Sequence, residues 1–368
     1  MAENKTINPE IKALQKELLK NFGDNAFVLG SEADEDYAVE TVSSGSLNLD
    51  LALGTGIPVG RIVEMYGNES VGKTTLAILI MREFQRRFPD KFVGFFDIES
   101  ALNIALLDSL GIDRDKIYLS KTLTGEQTFD IIESIISSGM FSCLVVDSVS
   151  ALIPISEQEA SMEQGSIGLQ ARLISKGLKK IVPLADKYGT TVIFLNQLRE
   201  KVGTFSAYGT PTTTSGGRAL KFYSSVRIEL KKGEPIKDPN DSKKDIGHMV
   251  NAKIVKNKVS TPNRVASFPL IYGFGVDKIE EIADYMILTG LVSKGGAWIS
   301  MKDRDGNLVK RKLNDETIEL KWQGKSAFVE YLRQDEGLTT LILNSIECEQ
   351  ALTIDDVISW INGVEAND

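Results

Sequence analysis

The sequence predicts an α/β protein with a mostly parallel central sheet flanked by helices, and three observations support this fold class. Apolar runs typical of buried strands alternate with helical stretches between about residues 46 and 276: RIVEMYG, FVGFFDIE, IYLSK, CLVVDS and TVIFLNQ. This alternation is typical of βαβ units. A glycine-framed loop separates the first strand from a helix, as in phosphate-binding loops. The runs SSVRIELKK, AKIVKNK and VASFPLIYG lie close together and predict antiparallel strands that extend the sheet.

Length and composition are those of an ordinary globular protein. The 368 residues suggest two or three domains, and the 42% hydrophobic content is enough for a sizeable core. The formal charge of −9 argues against a chain that is basic all over, so any nucleic-acid site must be local. Two cysteines, the polar start MAENKTINPE and the lack of a long apolar run predict a cytoplasmic protein without membrane contact.

Three regions are predicted along the chain. Residues 1–45 hold an amphipathic helix from Pro9 to Phe22, where apolar residues recur at helical spacing, followed by a linker. Residues 46–276 form the α/β core. Residues 277–368 begin with the helical stretch DKIEEIADYMILTG and continue with a hairpin around RDGN and more helix, which predicts a small α+β domain.

The stretch GNESVGKTT matches the phosphate-loop pattern G-x-x-x-x-G-K-S/T. Glycines let backbone N–H groups surround phosphate oxygens, the lysine neutralises the β- and γ-phosphates, and the threonine hydroxyl binds Mg²⁺. The strand before the loop and the helix after it make a chance glycine turn the weaker alternative. The residues predicted to bind ATP here are Gly67, Asn68, Glu69, Ser70, Val71, Gly72, Lys73, Thr74 and Thr75.

Carboxylates at the ends of two strands are candidates for metal binding and for hydrolysis. Asp147 ends the strand CLVVDS beside the phosphate loop, where it can hold Mg²⁺ through water together with Thr74; a helix cap is the alternative. Glu99 in FFDIES can position or deprotonate the attacking water. Asp97 points to the same face and competes with Glu99, and a solvated Glu99 fits the spacing equally well.

Two polar loops are candidates for a DNA interface. The stretch LREKVGTFSAYGTPTTTSGGRALKFY is rich in glycine, threonine and serine, which favour a mobile backbone, and it contains the aromatic residues Phe205 and Tyr208. Its cations are Arg199, Lys201, Arg218 and Lys221. Cations that contact phosphates and rings that stack on bases suit a sequence-neutral single-strand binder. EQEASMEQGSIGLQARLIS has the same character, although composition alone favours disordered surface loops.

Ordered segments of the chain resemble the bacterial RecA recombinases over nearly its whole length. These segments are ETVSSGSLNLDLALGTGIPVGRIVEMYGNESVGKTT, VVDSVSALIP, GLQARLIS, NQLREKVG, TTTSGGRALKFYSSVRIEL, KIVKNKVSTP and GGAWIS. The resemblance implies a RecA-type P-loop ATPase core with an N-terminal polymerisation helix. It also implies an ATP- and Mg²⁺-dependent recombinase that forms a helical filament on single-stranded DNA and pairs it with homologous duplex in recombinational repair. Loader or single-strand-binding proteins are further candidate partners.

The resemblance assigns roles to individual residues. Glu99 corresponds to the catalytic glutamate, which decides its competition with Asp97, and Gln197 to the glutamine that senses the γ-phosphate. Lys256 and Lys258 correspond to lysines that reach the neighbouring subunit's ATP, although the sequence alone predicts an exposed strand face for them. The implied DNA-binding residues are Ile167, Gly168, Arg172, Arg199, Lys201, Val202, Phe205, Thr213, Gly216, Gly217 and Arg218, with Ile167 and Val202 as wedges between base triplets.

The sequence departs from the family pattern around the adenine and in the C-terminal region. Asn103 and Leu106 stand where the family has an aspartate and a stacking tyrosine. Asn103 can still pair with the exocyclic amine of adenine, but aromatic stacking is lost. The stretch MKDRDGNLVKRKLNDETIELK is an insertion between GGAWIS and WQGKSAFVEYL, and the second DNA loop is longer.

A second DNA path and two other functions are also compatible with the sequence. The late strands carry Arg227, Lys231, Lys232 and Lys253, which can hold an incoming duplex or form a solvated sheet face. A ring-forming helicase motor would share the nucleotide core. A nucleotide-regulated protein that only coats single strands would keep the loops without needing Glu99.

Overall fold

The computed structural model of the chain describes residues 9–22, 38–121, 124–159, 168–200, 212–238, 241–313, 316–347 and 352–364. The chain divides into two units, Met1–Glu40 and Thr41–Asp368. In the first unit, helix α1 spans Pro9–Phe22, as its periodicity predicts. Its apolar side chains Ile11 and Leu14 are exposed. Most of the predicted linker lies outside the described residues.

The second unit contains the remaining described elements. Its helices are α2 (Leu47–Leu53), α3 (Lys73–Arg87), α4 (Ile104–Ser109), α5 (Gly125–Ser137), α6 (Ile155–Gln158), α7 (Leu169–Tyr188), α8 (Ala219–Tyr223), α9 (Lys278–Leu288), α10 (Gly324–Gln334), α11 (Glu336–Glu347) and α12 (Ile354–Val364). Its strands are β1 (Thr41–Val42), β2 (Ile57–Pro58), β3 (Ile62–Gly67), β4 (Phe92–Asp97), β5 (Ile117–Ser120), β6 (Phe141–Asp147), β7 (Thr191–Glu200), β8 (Thr212–Thr214), β9 (Val226–Asp238), β10 (Asp241–Asn257), β11 (Val265–Ile271), β12 (Gly275–Val276), β13 (Ser293–Gly295), β14 (Trp298–Ser300), β15 (Lys310–Leu313), β16 (Glu316–Glu319) and β17 (Lys321–Gln323).

One mixed sheet of ten described strands forms the centre of this unit, in the order β12-β11-β10-β9-β3-β7-β6-β4-β5, with β8 paired to β7. The strands from β9 through β3 to β5 pair in parallel, and β9 to β12 pair antiparallel. The predicted α/β fold with an antiparallel extension is therefore confirmed. The register sets Gly67 beside Gln197 and Asp97 beside Asp147, so the ends of β3, β7, β4 and β6 meet at one edge.

Both faces of the sheet are covered, which explains why its central strands are mostly apolar on both faces. One face packs against α2, α3 and α4 through residues such as Leu49, Ile78 and Leu107. The other face packs against α5 and α7 through residues such as Ile132 and Leu178. No helix among the described residues is both long and apolar enough to cross a bilayer.

The prediction that Arg227 belongs to a basic surface on the late strands is wrong. Its side chain is buried, because Glu64 lies directly opposite it on the neighbouring strand β3. The two form an ion pair with Nε 2.5 Å from Oε2, and the guanidinium also lies 4.8 Å from the centre of the Tyr66 ring. Lys231, Lys232 and Lys253 are exposed, so a basic surface here rests on these three lysines.

The C-terminal region contains a second apolar cluster, to which α9, α10, α11 and α12 all contribute buried side chains together with Leu47 of α2. The turn around RDGN is confirmed, because Lys302 and Leu308 form a bridge across it. Strands β15 and β16, which also lie in the inserted stretch, pair antiparallel. Its Arg311 is buried: the guanidinium pairs with Asp335, donates to the Tyr331 hydroxyl at 3.0 Å and lies over the Trp360 ring. The insertion is therefore packed into this region, while the domain boundary at residues 276 and 277 stays a prediction.

A buried carboxylate links α9 to the start of α2. Glu281 Oε1 accepts hydrogen bonds from Ser46 Oγ at 2.6 Å and from the Asn48 N–H, and its Oε2 accepts one from the Leu47 N–H at 2.8 Å. The carboxylate thus satisfies N–H groups that the first turn of a helix leaves unpaired. Burial raises the pKa of Glu281 to about 7, although these hydrogen bonds oppose the shift.

Replacing Glu281 by glutamine is expected to change how stability depends on pH. Because the folded state holds this proton more tightly than an ordinary glutamate does, the stabilising contribution is fully present below pH 4.5 and is lost as the pH rises through about 7. Its size is about 3 kcal/mol at the upper limit. Denaturant unfolding from pH 4.5 to 8 should therefore show a flatter pH dependence for Glu281→Gln. The exposed Glu330→Gln is the control, and a Glu281→Gln profile parallel to that of the wild type would contradict the expectation.

Candidate nucleotide site and DNA interface

The loop between β3 and α3 has a backbone that requires glycine at both ends. A side-chain carbon on Gly67 would lie 2.3 Å from the Leu230 carbonyl oxygen, and one on Gly72 would lie 2.2 Å from a Leu270 methyl group. Gly72 also has φ 94°, which disfavours other residues. No side chain caps the start of α3, so its N–H groups are available for an anion.

Lys73 lies along this loop. Its Nζ donates to the carbonyl oxygens of Asn68 at 2.8 Å and Gly67 at 3.1 Å. Burial lowers the pKa of the ammonium, and the nearby carboxylates Asp147, Glu99 and Glu69 oppose that shift. A cation is therefore held where the glycine-framed backbone would surround phosphate oxygens.

Thr74 and Asp147 are in direct contact. Thr74 Oγ1 donates to Asp147 Oδ2 at 2.6 Å. Burial raises the pKa of Asp147, whereas the Thr74 hydroxyl and Lys73 favour its ionised form. A hydroxyl and a carboxylate fit Mg²⁺, which keeps several waters and takes its other ligands from phosphates. The hydrogen bond to Thr74 distinguishes this arrangement from the helix cap considered above.

Asp97 and Glu99 have different surroundings. The buried Asp97 accepts from the N–H groups of Ala101 at 2.9 Å and Leu102 at 3.3 Å, so it holds the turn that follows β4. Glu99 is exposed, and its Oε1 accepts from Ser148 Oγ and from Gln197 Nε2, the latter at 3.1 Å. Asp97 therefore serves the local backbone, whereas the Glu99 carboxylate is exposed.

Asn196 ties the end of β7 to the second predicted loop. Its buried Nδ2 donates to Glu64 Oε1 at 3.0 Å and to the Ser215 carbonyl at 3.1 Å, and its Oδ1 accepts from the Gln197 N–H at 2.9 Å. Asn196 precedes Gln197 in FLNQ, and the sequence gives no sign of its contact with Ser215. Sequence reasoning therefore missed both Asn196 and Ser148.

The described ends of the two predicted DNA loops meet. A cavity of about 380 Å³ is lined by Gly168 and Gln170 on one side and by Gly216 and Gly217 on the other. Arg172 and Arg218 are exposed next to these ends. Thr213 pairs with Arg199 in the register of β7 and β8, and its hydroxyl accepts from Lys221 at 3.4 Å. The predictions for Ile167, Lys201, Val202, Phe205 and Tyr208 lie outside the described residues, as does the Arg199 side chain.

The two lysines at the end of β10 have different environments. Lys256 Nζ donates to the carbonyl oxygens of Lys221 at 2.7 Å and Phe222 at 3.0 Å, so it caps the end of α8. Burial lowers its pKa, and the charges of Lys258 and Arg227 lower it further. Lys258 follows the strand and is exposed. Phe222, whose carbonyl oxygen Lys256 binds, has a largely exposed ring.

The two residues expected near the adenine serve the local structure. Asn103 caps α4, with Oδ1 accepting from the Ala105 N–H at 2.9 Å. One lone pair of the acceptor assigned to the adenine amine is therefore already in use. Leu106 is partly buried and packs against the main core.

Comparisons with known proteins point to one family. A family model described as the RecA N-terminal domain matches residues 9–277. The Protein RecA of a Nitratiruptor species is 41% identical over 348 residues, which covers 94% of each chain. The Protein RecA of Campylobacter hominis is 44% identical over 80% of this chain and 83% of its own length. The Protein RecA of Petrotoga mobilis is 39% identical over 97% of this chain and 94% of its own length.

Proposed function

This chain belongs to the RecA family and has the recombinase function of that family, and we propose that it performs this function by hydrolysing ATP with Mg²⁺ in a filament along single-stranded DNA. Nucleotide binding, DNA binding and filament formation are general to the family. The observation that carries the finer proposal is the convergence of Lys73, Thr74, Asp147, Glu99 and Gln197 at the edge where β3, β4, β6 and β7 end.

Each of these side chains has a separate task in the proposed reaction. Lys73 and the loop N–H groups bind the phosphates, and Thr74 and Asp147 would hold Mg²⁺, which would neutralise charge on the transferred group. Glu99 orients the attacking water and accepts its proton. Gln197 donates to Glu99, so a change at the phosphate is transmitted to Asn196 and, through the Ser215 carbonyl, to the DNA loop.

The proposed DNA interface uses the loop ends around the cavity. Arg172 and Arg218 are exposed cations there, and backbone N–H groups near Gly168, Gly216 and Gly217 suit phosphate oxygens. Contacts to the backbone leave sequence recognition to base pairing. A homologous duplex is the proposed second partner, with the exposed Lys231, Lys232 and Lys253 as candidates for holding it.

Alanine at Arg172, Arg199 or Arg218 is expected to weaken single-strand binding equally for all sequences. Each change should also lower the slope of log affinity against log salt concentration by about 1, because one phosphate contact is lost. Fluorescence anisotropy with several oligonucleotides measures both quantities. Lys180→Ala is the matched control, because Lys180 lies on the same helix as Arg172 but pairs with Glu133 at 2.8 Å. A sequence-selective loss, or unchanged slopes for all three arginine variants, would contradict the interface.

A three-strand exchange assay tests the function as a whole and separates it from its alternatives. Joint molecules and exchanged strands are expected in the presence of ATP and Mg²⁺. A helicase motor would instead give unwound strands without homology, and a coating protein would only shield the single strand. The same assay with added single-strand-binding or loader proteins tests those partners, which we propose act with this protein in the cytoplasm.

A further inference from the structure

The histidine at position 248 lies beside the phosphate loop and is the sole histidine of the sequence. Its side chain on β10 is buried. The Nε2 atom is 3.4 Å from the Val71 carbonyl oxygen, and Nδ1 is 3.2 Å from the Tyr272 hydroxyl. The histidine and tyrosine rings also pack together, with centroids 5.6 Å apart. One imidazole thus bridges the loop and the end of β11.

The chemistry of its two partners determines which nitrogen of the ring carries the proton. A carbonyl oxygen can only accept, so the nitrogen facing Val71 must carry the hydrogen, and the hydroxyl of Tyr272 then donates to Nδ1. Burial lowers the pKa of His248, and the charge of Lys232 lowers it further, while the hydrogen bond to Val71 opposes both. Near neutral pH the ring is therefore the neutral Nε2–H form.

The orientation of the Val71 carbonyl fixes the direction of the next N–H group in the loop. The Val71–Gly72 peptide is trans and planar, so its C=O and N–H point in opposite directions. A carbonyl held towards His248 therefore directs the Gly72 N–H to the opposite side of this peptide. Gly72 precedes α3, so this N–H is adjacent to the start of the helix.

We propose that His248 is a positioning residue for nucleotide binding: its Nε2–H group holds the Val71 carbonyl and so aims the Gly72 N–H at the bound phosphates. The inference rests on the proposed function of this loop as the ATP phosphate site. In this proposal His248 acts on the nucleotide through one peptide plane, that of Val71 and Gly72.

Three substitutions separate the hydrogen bond from packing. His248→Leu removes the donor, His248→Gln keeps an N–H donor near the position of Nε2, and Tyr272→Phe removes only the hydroxyl that fixes the tautomer. We expect His248→Leu to bind ADP and a non-hydrolysable ATP analogue about three- to tenfold more weakly, the range for one lost hydrogen bond. His248→Gln should bind within about twofold of the wild type. In steady-state assays the loss should raise KM with little change in kcat, because binding before and during the reaction is weakened alike.

A spectroscopic measurement tests the tautomer without nucleotide. Because the chain has one histidine, ¹⁵N-histidine labelling gives a single pair of ring signals, which solid-state NMR can record from filaments. The expected result is a protonated Nε2 and an unprotonated Nδ1. A protonated Nδ1 with bare Nε2 would overturn the proposal.

The binding measurements have their own contrary outcomes. Equal weakening by His248→Leu and His248→Gln would show that only packing matters, and wild-type affinity in a folded His248→Leu protein would remove the role altogether. If His248→Leu fails to fold, two measurements still test the proposal: the nucleotide affinity of His248→Gln relative to the wild type, and the tautomer determined by NMR. Absence of nucleotide binding by the wild-type protein would instead overturn the proposed function, and the tautomer result would be unaffected.

Discussion

Glu99→Gln is expected to lower DNA-dependent ATP hydrolysis by about 100- to 10,000-fold, the usual contribution of a general base, while nucleotide affinity stays close to that of the wild type. The amide keeps an oxygen that can accept from Gln197 and Ser148 but cannot take a proton from water. Single-turnover hydrolysis and equilibrium binding of a fluorescent nucleotide, measured on the same preparation, separate the two effects.

Asp97→Asn is the matched control for this prediction. Because Asp97 accepts from the N–H groups of Ala101 and Leu102 in the turn after β4, its change should lower thermal stability more than the rate per folded molecule. A Glu99→Gln protein that hydrolyses ATP at the wild-type rate would transfer the role to Asp97 or to another group.

Mixing two inactive variants is expected to restore activity if the site is shared between neighbouring subunits. One variant lacks Glu99, and the other lacks both Lys256 and Lys258. In a random equal copolymer, roughly one interface in four joins an intact Glu99 to intact lysines, as heterologous head-to-tail assembly requires. The DNA-dependent ATPase rate of the mixture should therefore reach about a quarter of the wild-type rate.

The outcome of the mixing experiment depends on proof that the variants share filaments. Energy transfer between labelled variants supplies that control. Zero recovered activity in shared filaments would assign the lysines to their own subunit's ATP. Lys256 caps α8 within its own chain, so Lys258→Ala and Lys256→Ala should also be measured singly, with thermal stability as the readout for the cap.

Much of the fold and part of the site follow from local sequence patterns. The alternation of strand and helix predicts the parallel sheet, and the apolar runs predict which strands are buried on both faces. A side chain at Gly67 or Gly72 would collide with Leu230 or Leu270. The spacing of the glycines alone, however, is sufficient to predict the phosphate loop. These predictions use residues that are close to one another in the chain.

The parts that could not be predicted depend on long-range register. Arginine is usually found at the surface, and only the pairing of β9 with β3 places Glu64 opposite Arg227. The contact between Asn196 and the Ser215 carbonyl depends on how the second loop returns to the sheet. His248 lies 177 residues from Val71 in sequence, and nothing local to either residue indicates their contact.

The contacts of the buried Arg311 make the inserted hairpin costly to remove. Surface insertions are usually tolerated and removable, because few contacts hold them. Excising the β15–β16 hairpin would leave the Asp335 carboxylate, whose side chain is 9% exposed, without its cation, and would uncover the Trp360 ring. Loss of one partner of a buried ion pair costs about 3–5 kcal/mol, a large fraction of a typical domain's stability. A chain that loses this hairpin would therefore keep its stability only if Asp335 also changes to an uncharged residue.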